Sequence, residues 1–195
     1  MAPQPKLILV LLGCTPPGRH IEQHDIFLGI GDSIEGLFAE VKAYWPEGKV
    51  HIDAWREVTH VEGYRISIVA KNEEEKPESS TDKLFLMNLG GYLEGRFEEQ
   101  HYIVLTVKPD KAAATKEAKA TAFYQHNHFA NAVSHIDDRY GVDVDDIYEI
   151  EELLLPAQKA KYRIEVTAAA GLPEDEYHLG YVKLPAEFHK SPPTP

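Results

Sequence analysis

Gly18-Arg19-His20-Ile21-Glu22-Gln23-His24-Asp25-Ile26 is the stretch that decides the fold, because the chain repeats it as Gly95-Arg96-Phe97-Glu98-Glu99-Gln100-His101-Tyr102-Ile103. The offset is 77 residues (95 − 18) without a gap, and the match reaches back to Leu12 and Leu89. Of the 15 positions from Leu12 to Ile26, 8 are identical, whereas ordinary composition gives about one identity by chance. The chain is therefore predicted to contain an internal duplication whose retained residues are mostly polar.

Two strands frame the repeated stretch. Residues 6–13 form an apolar run, which is typical of a buried strand, and residues 22–30 continue as a second strand. On the second strand Glu22 and His24 share a face with the apolar residues that follow, so both are predicted to continue a core-facing row. A helix comes next, with Asp32 predicted as its cap, and Asp110 is predicted to cap the second helix.

A second repeated motif, His51-Ile52-Asp53, recurs as His135-Ile136-Asp137. As a strand, each triplet places its histidine and aspartate on one face and its isoleucine on the other. The isoleucine is predicted to face the core, which would turn His51 and Asp53 away from His24. The acidic piece from Val142 to Leu155 has no predicted counterpart in the first copy.

The predicted fold class is α+β, as a tandem duplication of a strand-strand-helix-strand-strand unit with pseudo-twofold symmetry and mainly antiparallel or mixed sheets. The first repeat is assigned to residues 6–76. The second repeat is assigned to residues 82–185, with an insertion and a closing strand that contains Leu179-Gly180. The two repeats are predicted to pack as one body.

Charge and cysteine content narrow the classes of partner. The chain has 32 acidic and 20 basic residues, for a formal net charge of −12, which disfavours nucleic acid and membrane surfaces as partners. One cysteine predicts a reducing, cytoplasmic location. Lys6 with the apolar run up to Cys14 is similar to a lipoprotein signal, but the same run follows Lys83 in mid-chain, which favours a strand. We expect a monomer or homodimer without a cofactor.

The repeated polar residues are the candidate site. Arg19 and Arg96 have the planar guanidinium that binds carboxylates or phosphates. The alternative is that each arginine forms an ion pair with Glu22 or Glu99 and holds its loop in place.

Each copy also places a glutamate beside a histidine, as Glu22 with His24 and Glu99 with His101. A carboxylate that orients an imidazole is typical of a general base. The same pair can instead satisfy a histidine at the edge of the core. No candidate nucleophile recurs with the motif.

The His-x-Asp pairs contain the ligand types of a zinc or other divalent-metal site. His51, Asp53, His135 and Asp137 are therefore metal candidates. The predicted direction of their side chains, away from His24, favours a structural role instead.

Three motifs resemble the bacterial family catalogued as domain of unknown function 1543: residues 18–27, His51-Ile52-Asp53-Ala54-Trp55 and Ser134-His135-Ile136-Asp137-Asp138. The resemblance covers most of the chain from Leu7 to about Leu155. It implies a bacterial, cytoplasmic protein with one or two copies of the domain, and it brings no activity, ligand or catalytic residue.

The first functional hypothesis is that the repeated motif is chiefly architectural and lines a groove between the halves that binds a small anionic ligand. Two alternatives stay open. One is an enzyme that uses the Glu-His pairs as acid and base, and the other is a divalent-metal-binding module.

Overall fold

The computed structural model describes residues 4–71, 81–92, 97–118 and 142–189. The pairings resolved within its sheets are antiparallel, and short helices accompany them, so the predicted α+β class is confirmed. The chain divides into two compact units, the first formed by Met1–Lys76 with Leu153–Pro195 and the second by Pro77–Glu152. No helix in the described ranges is long and apolar enough to cross a membrane.

In chain order the elements are β1 (Lys6–Cys14), β2 (Gln23–Gly31), a 3-10 helix (Glu35–Leu37), α1 (Phe38–Tyr44), β3 (His51–Val58), β4 (His60–Val61), β5 (Tyr64–Ala70), β6 (Lys83–Tyr92), β7 (Glu99–Lys108), α2 (Lys111–Ala118), β8 (Val142–Glu149), α3 (Ile150–Leu153), α4 (Pro156–Lys161), β9 (Tyr162–Ala168), β10 (His178–Lys183) and a second 3-10 helix (Ala186–His189). The first unit holds a four-stranded sheet in the order β10, β3, β1, β2 and a three-stranded sheet in the order β4, β5, β9. The second unit holds a three-stranded sheet in the order β7, β6, β8.

Both faces of the four-stranded sheet carry buried apolar side chains, and this decides where polar residues can lie. On the face toward α1, Val10 and Leu12 are fully buried and belong to the same cluster as Phe38 and Val41. On the opposite face Leu7 is buried as well. Each apolar side chain buried in this way contributes about 1.5–3 kcal/mol. A buried isoleucine or valine in this sheet therefore does not by itself tell which face its neighbours occupy.

The two helix caps were predicted with different success. Asp110 Oδ1 accepts a hydrogen bond from the Ala113 backbone N–H at 2.8 Å, which confirms that cap. At α1 the prediction of Asp32 was wrong, because the Ser33 hydroxyl accepts the Gly36 N–H at 3.4 Å. A 3-10 turn precedes α1, and it moves the first unpaired N–H groups beyond the reach of Asp32.

Both units contain the same three-stranded arrangement. In the first unit β1 lies between β2 and β3, and in the second β6 lies between β7 and β8. The register also agrees, since Gly13 lies opposite His24 and Gly90 lies opposite His101. The strands that carry the repeated stretch therefore pair in the same way in each unit.

The pairing with the third strand shows which segments correspond. Gly13 lies opposite His51 on β3, and Gly90 lies opposite Asp143 on β8. A β-bulge interrupts both pairings on the N-terminal side of these glycines, at Leu11/Leu12 and at Asn88/Leu89. The expectation that the acidic piece after Val142 has no counterpart was therefore wrong, because β8 takes the place of β3.

The strands after Leu155 join the first unit. β9 pairs with β5 and β10 pairs with β3, whereas both strands had been assigned to the second repeat, residues 82–185. The pairing covers β3 and β5, which would otherwise present unpaired N–H and C=O groups at a sheet edge. The packing of the two repeats as one body stays a prediction.

Candidate functional site

A row of four residues crosses the four-stranded sheet at one level. From β10 to β2 the row is Lys183, His51, Gly13 and His24, each directly opposite the next. Opposed residues of antiparallel strands point to the same face, and here it is the face away from α1. Gly13 leaves a gap between the histidines, and the side chains of β3 fill it, because a Cβ atom at Gly13 would lie 2.5 Å from His51 Nε2 and 2.6 Å from Asp53 Oδ2.

Two carboxylates join the two histidines over Gly13. His51 Nε2 lies 3.1 Å from Glu22 Oε1 and 3.2 Å from Asp53 Oδ1. His24 Nε2 lies 3.3 Å from Asp53 Oδ2 and 3.7 Å from Glu22 Oε2. Each carboxylate therefore directs one oxygen toward each imidazole. We call these four residues the histidine–carboxylate cluster.

Asp53 belongs to the cluster because alternation along β3 places it on the same face as His51. It also lies at a β-bulge, since the pairing of β1 with β3 passes from Leu11–Ala54 to Leu12–Ile52 and leaves Asp53 as the extra residue. Asp53 Oδ2 is buried and accepts no hydrogen bond from the described residues, and it lies 3.3 Å from the His24 imidazole.

The four side chains differ in their freedom to move. The side chain of His51 is 9% exposed and that of Asp53 26%, whereas Glu22 is 41% and His24 49% exposed. The inner pair is therefore held by the sheet, and the outer pair can rotate in solvent. As they stand, no three histidine, cysteine, aspartate or glutamate side chains in the described part of the chain are arranged to hold a metal ion.

Strand β10 supplies an aromatic side chain and a cation beside the cluster. The Tyr181 ring lies on the His51 ring with a centroid distance of 4.3 Å and an interplanar angle of 46°. Lys183 Nζ lies 5.6 Å from the centre of the Tyr181 ring. Tyr181 remains 59% exposed, so it leaves one face of the stack open to solvent.

The structure brings the pair His51 and Asp53 together with the pair Glu22 and His24, although the two pairs were predicted to lie apart. Ile52 is fully buried in the core on the α1 side, as predicted, and this turns His51 and Asp53 to the other face. His24 lies on that other face too, so the inference that they point away from His24 was wrong. The physical reason is that both faces carry buried apolar side chains: Leu28, in the row of His24, is buried on one face and Ile52 on the other.

The predicted ion pair between Arg19 and Glu22 is not formed. The Arg19 backbone N–H donates to the Pro16 carbonyl at 3.1 Å, while the Glu22 carboxylate lies against His51 and His24. The arginine therefore does not neutralise the cluster, and its role in anion binding stays a prediction.

The second unit repeats part of the cluster. His101 Nε2 lies 3.7 Å from Glu99 Oε2, the same separation as between His24 and Glu22. At the register position of His51 the second unit has Asp143. Three of the predicted site residues lie outside the described ranges: Arg96, His135 and Asp137.

Cys14 lies on the other face and does not contribute to the cluster. It belongs to the core on the α1 side, where its Sγ lies 3.5 Å from the Glu47 carbonyl. Burial raises the pKa of the Cys14 thiol, and the nearby Lys42 ammonium offsets part of that effect. A buried thiol of this kind is a poor nucleophile.

A cavity of about 480 Å³ lies elsewhere in the first unit. It is lined by the start of β1, by β5 and by residues 172–176, and it includes no residue of the cluster. Asp175 in its wall accepts hydrogen bonds from the Thr59 N–H and hydroxyl and from the His60 N–H. Because the Asp175 carboxylate is already hydrogen-bonded to Thr59 and His60, it is not available to bind a ligand, and we do not assign the site to this cavity.

Sequence reasoning missed Gly13, Tyr181 and Lys183. A signal for Gly13 was present, because Leu-Gly recurs at residues 12–13 and 89–90 with the polar motif. No local pattern connects β10 to residues more than 120 positions earlier.

Comparisons with known proteins provide a family match for part of the chain and a fold. A family model described as Domain of Unknown Function (DUF1543) matches residues 19–68, a segment that contains all four cluster residues. No curated protein matches the chain. The crystal structure of protein Il1583 from Idiomarina loihiensis is 22% identical, with 93% of this chain and 99% of that chain covered and a TM-score of 0.55. At this identity the likeness shows the fold alone.

Proposed function

We propose that the segment matched by the DUF1543 model, residues 19–68, binds a divalent metal ion through the histidine–carboxylate cluster. The observation that carries the proposal is a set of four nitrogen–oxygen distances, between 3.1 and 3.7 Å, that link Glu22, His24, His51 and Asp53 in a ring.

The distances are longer than strong hydrogen bonds and close to the spacing of donors around an ion. A charge-assisted hydrogen bond between nitrogen and a carboxylate is about 2.7–2.9 Å long. Zinc binds imidazole nitrogen and carboxylate oxygen at about 2.0–2.2 Å, which separates two tetrahedral ligands by roughly 3.3 Å. The buried Asp53 Oδ2, without a hydrogen bond from the described residues, is an acceptor that a cation would satisfy.

Binding requires a small rearrangement, since the side chains do not yet converge. His51 and Asp53 are held against Gly13, whereas Glu22 and His24 are about half exposed. Rotation of the outer two toward the inner two would close the site. Such closure by two exposed side chains is compatible with the loop position of Glu22.

The ligand set also indicates which ion would bind. Two imidazoles and two carboxylates suit zinc, iron, cobalt or manganese better than magnesium or calcium, which prefer oxygen alone. Two carboxylates also balance the charge of a divalent ion. Without an ion, their charge opposes the predicted binding of an anion at this position.

The predicted duplication extends the proposal to the second unit, and the matching strand order and register support it. At the register position of His51 the described part of that unit has an aspartate, Asp143, in place of a histidine. We therefore expect the first unit to hold the tighter ion.

The test is calorimetric titration of zinc, manganese and cobalt into untagged protein that has been treated with a chelator. The parent protein should bind about one ion tightly, and His51→Ala should weaken that binding by at least tenfold. Loss of a group that only orients a metal ligand already lowers metal affinity about tenfold or more, and loss of the ligand itself should cost no less. His20→Ala is the matched control, since His20 is an exposed histidine of the same stretch that lies outside the cluster, and this variant should bind as the parent does.

An acid–base enzyme is the second candidate, because the His51 nitrogen lies between carboxylate oxygens at 3.1 and 3.2 Å. Carboxylates that orient an imidazole in this way are typical of a general base. If none of the three ions binds the parent protein, the metal proposal is wrong and the acid–base role becomes the better explanation of the cluster.

A further inference from the structure

We infer that Lys183 and Tyr181 anchor an anionic group of a small ligand that also coordinates the metal ion. This inference rests on the proposed function, because it gives the ion a ligand of stated chemistry: an oxyanion such as phosphate or a carboxylate.

Lys183 is placed for this role by the register of the sheet. It lies directly opposite His51 on the neighbouring strand, so both side chains point to the face that carries the cluster. Adjacent strands lie about 4.8 Å apart, which brings a lysine side chain within reach of a ligand bound over Gly13.

The Lys183 ammonium has no carboxylate partner in the described part of the chain. Its contact there is with the Tyr181 ring, at 5.6 Å. The nearest carboxylates of the cluster, Glu22 and Asp53, are engaged by the two imidazoles. In a protein with a net charge of −12, a cation without an acidic partner beside a polar cluster indicates a binding role.

Tyr181 connects the cation with the cluster. Its ring lies against His51 at 4.3 Å and under Lys183, and it is 59% exposed. The irregularity of β10 at Gly180, whose φ is +133°, produces this placement. A glycine is needed there, because other residues rarely adopt that φ.

The charges explain why the anion and the ion belong together. Glu22 and Asp53 repel an anion when the site is empty, and a divalent cation cancels that repulsion. One ligand oxygen would then coordinate the ion, while another accepts a hydrogen bond from Lys183. Binding of the anion should therefore depend on both the metal and the lysine.

The experiment titrates inorganic phosphate into cobalt-loaded protein and follows both calorimetry and the visible absorption of the cobalt ion. The parent should bind phosphate with a change in the cobalt spectrum, and metal-free protein should bind it at least tenfold more weakly. Lys183→Met should keep the cobalt affinity but lose about tenfold or more in phosphate affinity, as for a hydrogen bond to a charged group. Lys183→Arg should restore most of the loss, and the exposed Lys116→Met is the control.

Two outcomes overturn the inference in different ways. If cobalt binds but phosphate binds equally well to the parent and to Lys183→Met, or not at all, the anion site is wrong and the metal site stands. If cobalt does not bind the parent, the proposed function fails and the inference fails with it.

Discussion

Gly13 and His51 lie directly opposite each other on β1 and β3, and the His51 imidazole occupies the space that a side chain at residue 13 would need. A Cβ atom there would lie 2.5 Å from His51 Nε2, much closer than atoms can pack. The histidine–carboxylate cluster therefore packs directly on the backbone of Gly13 and requires a residue without a side chain there.

Gly13→Ala should disturb the cluster and also lower the stability of the first unit. The added methyl group must displace His51 and Asp53, and overpacking of this kind costs about 1–3 kcal/mol. Urea unfolding measures the loss, and zinc titration should show affinity at least tenfold below the parent. Gly36→Ala is the control, since a Cβ atom there meets only Ser33 Oγ at 4.0 Å. A Gly13→Ala protein with the parent's stability and zinc affinity would contradict the geometry.

Glu22→Gln separates a metal ligand from an architectural residue. If Glu22 is a ligand, the metal-free variant should match the metal-free parent within about 0.5 kcal/mol, since exposed substitutions have small effects. Zinc at 100 times its dissociation constant should then stabilise the parent by about 2.7 kcal/mol and the variant by much less. A loss of about 1–3 kcal/mol in the metal-free variant would instead support the architectural hypothesis.

Glu40→Gln should raise stability at neutral pH. Burial raises the pKa of the Glu40 carboxyl above its usual value of 4.5, so the folded state binds the proton more tightly than the unfolded state does. Stability from this group is therefore complete below pH 4.5 and is lost as the pH rises through the folded pKa. The variant should therefore have a higher free energy of unfolding than the parent at pH values above the folded pKa of Glu40, and this difference should vanish below pH 4.5.

Urea unfolding across pH 4–8 measures this difference, with the exposed Glu35→Gln as control. Gln158 Nε2 donates to Glu40 at 2.5 Å, and a glutamine at residue 40 can still accept that hydrogen bond. A gain that does not depend on pH would contradict the assignment to Glu40 ionisation.

Asp175→Ala should release residues 172–176 from the end of β3. The carboxylate accepts hydrogen bonds from the backbone N–H groups of Thr59 and His60 at 2.9 and 3.1 Å. Leaving these donors unpaired should cost about 1–3 kcal/mol, measured by urea unfolding. Glu174→Ala is the neighbouring control, because Glu174 is exposed. Equal midpoints for the two variants would show that Asp175 does not hold the segment.

Local features of the sequence determined much of the fold. The strand before Gly13, the strand after Glu22 and the cap at Asp110 were all predicted. These features depend on side-chain alternation and on hydrogen bonds between near neighbours, which a single segment specifies by itself. The repeated stretch also indicated Glu22 and His24 as site residues before any pairing was known.

Only the tertiary structure decided which of those residues meet. His51 and Asp53 join His24 because β1 pairs with β2 and with β3 in registers that set Gly13 opposite both His24 and His51. Tyr181 and Lys183 reach the cluster because β10 pairs with β3 across more than 120 residues of sequence. Such pairings are selected by the free energy of the whole unit, through covered strand edges and buried faces, and no local pattern of residues contains that information.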